Sequence, residues 1–191
     1  MRLVATLHRT IARIQASGQT VFRETHFYDY GKEGTEYDTL DVRAADLRLV
    51  RLVEVQGPDR NKLEFDGKRL IGFVSKTGVQ QPVNLTVGPF FHDMMDDSFT
   101  AMYPFDSLTS FVVDEIRPPD LTIRTVRFQT QGRATLQSVS GPVDCITVAR
   151  ENDITMWVSA KDGHLVRLRW ERPNGVTAWR LPLRDTAFIG S

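Results

Sequence analysis

The segment Thr155-Met156-Trp157-Val158-Ser159-Ala160-Lys161-Asp162-Gly163-His164-Leu165-Val166-Arg167-Leu168-Arg169-Trp170-Glu171 reads as a β-hairpin. Asp162-Gly163 supplies the positive φ angles of a tight hairpin turn, and it sits between two β-rich runs. From Leu165 to Glu171, Val166, Leu168 and Trp170 point one way and Arg167, Arg169 and Glu171 the other. That period of two makes one buried and one wet face.

The same signals recur outward from this hairpin. Asn174-Gly175 lies between Trp170-Glu171-Arg172-Pro173 and Val176-Thr177-Ala178-Trp179, and Asp66-Gly67 between Lys62-Leu63-Glu64-Phe65 and Arg69-Leu70-Ile71-Gly72. Val126 and Phe128 alternate with Arg127 and Gln129. Further strands are expected over 20–28, 37–42, 47–55, 134–139 and 144–149. At the N-terminus, Val4, Leu7, Ile11 and Ile14 have helical spacing, but the segment from Leu3 to Gln15 also suits a strand turning at Ser17-Gly18 into Thr20 to Tyr28. The strand is preferred.

One segment predicts a helix. Asp106 or Ser107 serves as the cap, Leu108, Phe111, Val112 and Ile116 form one stripe, and Pro118-Pro119 ends it. Residues 88–104, rich in Phe and Met, read as a long crossing connection. The expectation is a single domain over 1–191, mainly β. It would be an antiparallel open (half) barrel, or a strongly curved sheet, wrapped around one α-helix.

Composition narrows the function classes. Lys and Arg total 24, Asp and Glu total 24, and the formal net charge is +0. That balance argues against the broad basic surface of a nucleic-acid binder. No apolar run approaches the length that spans a bilayer as a helix. The single cysteine, Cys145, excludes an intrachain disulfide and sits in a strand, where a free thiol packs as a small apolar group. Gly31-Lys32-Glu33-Gly34 is a turn rather than a phosphate cradle, and no GxSxG nucleophile elbow is present. No catalytic residue and no cofactor is assigned.

Three sets of residues are candidates for a site. Phe90, Phe91, Met94, Met95, Leu108, Phe111 and Val112 would line an apolar concave face, or close the open side of the sheet by packing alone. His92, Asp93, Asp96 and Asp97 gather metal-ligand types, but without EF-hand spacing or paired histidines; a solvated acidic turn, with Asp96 or Asp97 capping a short helix, is the preferred reading. Arg124, Arg127, Arg167, Arg169 and Arg180 would gather on outward strand faces, as an anion, headgroup or docking patch or as an ordinary wet face.

A resemblance follows from the order of several pieces. They are Tyr37-Asp38-Thr39-Leu40, Asp46-Leu47-Arg48-Leu49-Val50-Arg51, Leu63-Glu64-Phe65-Asp66-Gly67-Lys68-Arg69, the 106–116 segment, Gly141-Pro142-Val143-Asp144-Cys145 and the Met156 to Val166 hairpin. This succession resembles bacterial envelope β-proteins of unknown function, in outline similar to the half-barrels of the LolA/LolB lipoprotein carriers. The resemblance implies an unclosed barrel around a helix, sometimes holding an acyl chain. It implies a periplasmic or envelope location if a signal peptide was removed, and a cytoplasmic one otherwise, since the segment from Met1 to Gln15 has no signal-type apolar region.

The first functional expectation is therefore a non-enzymatic carrier or binding domain for a lipid or other apolar molecule. The second is a structural or assembly module, acting on a protein partner or on itself through sheet edges or the arginine face. The third is a metal-dependent enzyme at His92, Asp93, Asp96 or Asp97.

Overall fold

A computed structural model describes residues 5–16, 18–88, 90–92, 100, 103–118, 120–138, 141–151, 154–171 and 177–180. The chain is mainly β and its strands pair antiparallel. It divides into two compact units, one of residues 1–93 with 116–123 and 189–191, the other of residues 94–115 with 124–188.

Unit 1 is a meander of seven strands in sequence order: β1 (Thr6–Ala16), β2 (Gln19–Asp29), β3 (Thr35–Arg43), β4 (Leu49–Gln56), β5 (Asp59–Phe65), β6 (Arg69–Lys76) and β7 (Val79–Thr86). The N-terminal segment is thus a strand, paired along its whole length with β2 from Thr6 opposite Asp29 to Ala16 opposite Gln19. The Asp66-Gly67 turn forms as expected. Asp66 Oδ1 accepts the N–H groups of Lys68 (2.9 Å) and Arg69 (2.8 Å), and Gly67 takes φ +102°. Thr77-Gly78, with φ +53° and +78°, makes a further turn. It is held from outside the hairpin by Asp59 Oδ1, which accepts Gly78 N–H at 2.6 Å.

Register aligns the core of this unit. Leu40, Leu52, Leu63, Gly72 and Val83 lie opposite one another across β3 to β7. Leu40, Leu52 and Leu63 are fully buried and Val83 nearly so. Gly72 occupies the one place in the row where a side chain does not fit. Its φ is +145°, and a Cβ there would lie 2.0 Å from the carbonyl oxygen of Lys62. Phe90 is buried against Phe65 in an edge-to-face pair, centroids 5.0 Å apart, and is followed by the two-residue strand β8 (Phe91–His92).

The strands of unit 2 run in the order β14-β13-β12-β11-β10-β9, with β9 (Ser110–Arg117), β10 (Thr122–Ser138), β11 (Gly141–Arg150), β12 (Ile154–Ser159), β13 (Leu165–Glu171) and β14 (Thr177–Arg180). The 155–171 hairpin is present as read. Gly163 takes φ +73°, and its N–H donates to Ser159 O at 2.9 Å. The β13–β14 pairing is also present, although its Asn174-Gly175 turn lies outside the described residues. Val126 and Phe128 are buried while Arg127 and Gln129 are exposed, as the alternation predicts.

The helix expected from Asp106 or Ser107 to Ile116 does not form, and a sheet wrapped around that helix is not supported. A turn at Pro104, where Ser107 and Leu108 donate to Pro104 O (3.0 and 3.2 Å), leads directly into strand β9. The apolar run is too short for its period to decide. Helical spacing of Leu108, Phe111 and Ile116 coexists with strand alternation of Phe111, Val113 and Glu115. β10 supplies backbone partners on one side, and Phe111 stacks on Phe128 (4.9 Å) and Tyr103 (3.7 Å), so the strand wins.

Gly72→Ala should cost at least about 3 kcal/mol, because a positive-φ strain and a backbone clash coincide at a paired strand position. Chemical denaturation compared with Gly67→Ala checks it. Gly67 also has positive φ but open space around it, so the smaller loss belongs there.

Candidate functional site

Polar residues are assembled in two places, one in each unit. In unit 1, the strand register that builds the apolar row also builds a polar row beside it. Arg9, His26, Asp38, Glu54 and Asn61 lie opposite one another across β1 to β5. Glu24, Asp38 and His26 are fully or almost fully buried. His26 Nε2 is 3.3 Å from Glu24 Oε2, and His92 Nε2 is 3.5 Å from Glu54 Oε1. Glu54 also accepts from Asn61 Nδ2 at 2.8 Å, and Asn61 Oδ1 accepts the backbone N–H of Ser75. At the rim, Tyr30 Oη donates to Glu36 Oε2 (3.0 Å). Burial pushes both groups' pKa values up, with the Glu36 charge adding to the shift at Tyr30. Taking each such charge out of water costs several kcal/mol, so the row holds only through its partners.

In unit 2 the central element is a buried ion pair. Arg150 Nη2 donates to both oxygens of Glu115 at 2.6 and 2.7 Å, with both side chains almost wholly inaccessible. Arg124 adds a contact to the same carboxylate at 3.4 Å, and the Arg150 guanidinium lies 5.7 Å from the centre of the Phe128 ring. Beside this pair is an open cleft of about 440 Å³. Its floor is set by register, since Gln129, Ala149, Thr155 and Arg169 lie opposite one another across β10 to β13. Arg127, Gln131, Glu151 and Glu171 stand around that row. Arg169 donates to Thr155 Oγ1 (3.4 Å) and pairs with Glu171 (3.2 Å). The cleft is open to solvent and presents hydrogen-bonding groups held on paired strands.

The arginines expected on an outward face separate. Arg127 and Arg169 meet at the cleft. Arg124 turns to Glu115, Arg167 lies over the Trp157 ring at 5.9 Å, and the Arg180 side chain is outside the described residues. Arg150 joins them without having been singled out, because its place in a β-rich run carried no charge signal. Of the apolar set, Phe90 is buried in unit 1 and Phe91 is half-buried, while in unit 2 Phe111 sits in the aromatic stack and Leu108 and Val112 are 40% and 57% exposed. Met94 and Met95 lie outside the described residues, as do Asp93, Asp96 and Asp97. His92 faces Glu54 rather than solvent, and among the described residues no three His, Cys, Asp or Glu side chains converge as metal ligands. Cys145 is buried on β11, and burial, helped by Asp144, pushes its thiol pKa up.

Two consequences are measurable. Glu115→Ala leaves Arg150 buried without its carboxylate and should destabilise by about 3–5 kcal/mol, whereas replacing both residues by apolar ones should recover most of the loss; denaturant titration of the three variants compares them. Burial, helped by Asp144, disfavours the Cys145 thiolate relative to that of an exposed thiol. The reaction of Cys145 with a thiol reagent at pH 8 should therefore wait on unfolding, and rapid labelling of the native protein would contradict the burial.

No family model matches the chain, and no curated protein does. Among solved structures it is similar to a β-barrel-like protein of the domain of unknown function DUF1849 from Brucella abortus, with 12% sequence identity and a TM-score of 0.39, over 88% of this chain and 78% of that one.

Proposed function

We propose that the chain is a non-enzymatic binding protein whose ligand is a small polar molecule held in the cleft of unit 2. The observation that carries this is the aligned row Gln129, Ala149, Thr155 and Arg169 under an opening of about 440 Å³. Four adjacent strands place donors and acceptors at fixed spacing, so a ligand meets a site that is ordered before it arrives. Arg127 stands at the same opening and is exposed to solvent. The small alanine in the row leaves room over the floor for the ligand.

A second reading keeps the apolar ligand. Leu108 and Val112 are exposed on the segment that carries Phe111 into its stack with Tyr103 and Phe128, and exposed apolar surface is what a carrier for an acyl chain would offer. It is the reading that a likeness to LolA/LolB carriers implies, and a periplasmic location belongs with it.

Amide-resolved NMR titration with a panel of amino acids, sugars and phosphate compounds tests the first reading. Shifts should cluster on Gln129, Ala149, Thr155 and Arg169. A panel that moves no amide of this row removes the cleft from consideration. Mass spectrometry of the protein, native and after solvent extraction, tests the second, which requires a co-purified apolar molecule that Val112→Asp releases.

A further inference from the structure

The charges around the cleft of unit 2 specify more than polarity. Arg127 and Glu151 face each other across the end of the β10–β11 ladder, where Glu151 N–H donates to Arg127 O at 3.0 Å. Both side chains are exposed, and no ion pair closes between them. On β13, at the other side of the floor, Arg169 and Glu171 form a pair at 3.2 Å with 37% and 52% of their side chains exposed. Arg150, also at the cleft, is already neutralised by Glu115. Among the described residues, the opening therefore carries both guanidinium and carboxylate groups, together with the amides of Gln129 and Gln131 and the Thr155 hydroxyl.

This distribution discriminates against simple ions. An anion that docks on Arg127 comes close to Glu151 as well, and a cation on Glu151 comes close to Arg127; in each case repulsion offsets the attraction. A molecule that carries both charges a few bonds apart satisfies both groups at once. Exposed pairs such as Arg169 with Glu171 contribute little in water, so a ligand can replace them at small cost.

We infer that the cleft recognises an ammonium–oxyanion zwitterion, with Arg127 receiving the oxyanion and Glu151 the ammonium group. The inference rests on the cleft being the binding site. Arg127 forms charge-assisted hydrogen bonds to the carboxylate or phosphate oxygens, the Glu151 carboxylate accepts from the ammonium, and Gln129 and Thr155 bond the atoms between. The same chemistry occurs in a free amino acid and in an ethanolamine-phosphate lipid headgroup.

The test uses the intact chain and calorimetric titration with phosphoethanolamine, glycine, inorganic phosphate and ethanolamine, with NMR locating the site. At least one zwitterion should bind roughly tenfold more tightly than either phosphate or ethanolamine. Arg127→Gln and Glu151→Gln should each remove that advantage. Both positions are exposed, and unchanged unfolding curves will show that the fold is intact. Vesicles containing phosphatidylethanolamine, compared with phosphatidylcholine alone, separate the sources: retention only on the former, lost in both variants, assigns a headgroup, and binding of free glycine assigns a soluble ligand. Phosphate binding as tightly as the zwitterions, with Glu151→Gln harmless, overturns the inference but leaves the cleft as an anion site. If the cleft amides respond only to an uncharged compound, the inference again fails while the binding reading stands. If no compound of any class moves them, both fail.

Discussion

Backbone pairing between strands that follow one another in sequence is the constraint on which everything else in this protein depends. In a meander each turn sets which residue opposes which, and each extended strand must find partners for its N–H and C=O groups on its neighbours. Once the turns are placed, rows of side chains across the sheet are determined. The apolar row from Leu40 to Val83, the polar row from Arg9 to Asn61 and the cleft floor from Gln129 to Arg169 are all products of register. Gly72 shows how strict this is, since backbone approach at one position of a row forbids even a methyl group.

The two units use charge differently. In unit 1, Glu24, His26 and Asp38 are carried into the interior, where pairing has to offset desolvation. Among the described residues of unit 2, the buried charges are Glu115 and Arg150, while Arg127, Glu151, Arg169 and Glu171 stand at an opening in water. The first arrangement ties strands together. The second leaves guanidinium and carboxylate groups accessible at fixed spacing, and for that reason the functional reading attaches to the cleft.

Much of the fold was legible from local chemistry. At Asp66-Gly67 and Asp162-Gly163 the glycine takes the positive φ of the turn, and β-rich runs flank both. The turn at Thr77-Gly78 carries no Asx-Gly signal, and threonine seldom adopts positive φ. That turn depends on Asp59, which lies on a neighbouring strand. The 106–116 segment departs from its expected helix for a related reason. Its short apolar pattern satisfies two periods, and only the aromatic partners Tyr103 and Phe128 and the β10 backbone select one. Strand propensity over 20–28 does not say which side chains are buried: Glu24 and His26 point inward, and Phe27 is 38% exposed.

The sequence by itself determined the strand class, the Asx-Gly turns, the burial of Cys145 and the presence of arginines on wet strand faces, because each of these follows from interactions within a few residues. Tertiary structure alone decided that Arg127 and Arg169 meet at one cleft while Arg124 and Arg167 do not, and that Arg150 finds Glu115. Those outcomes depend on side chains separated by tens of residues, brought together by cumulative register across several strands. No local pattern carries that sum, since a one-residue shift in any turn would send every later side chain to the opposite face.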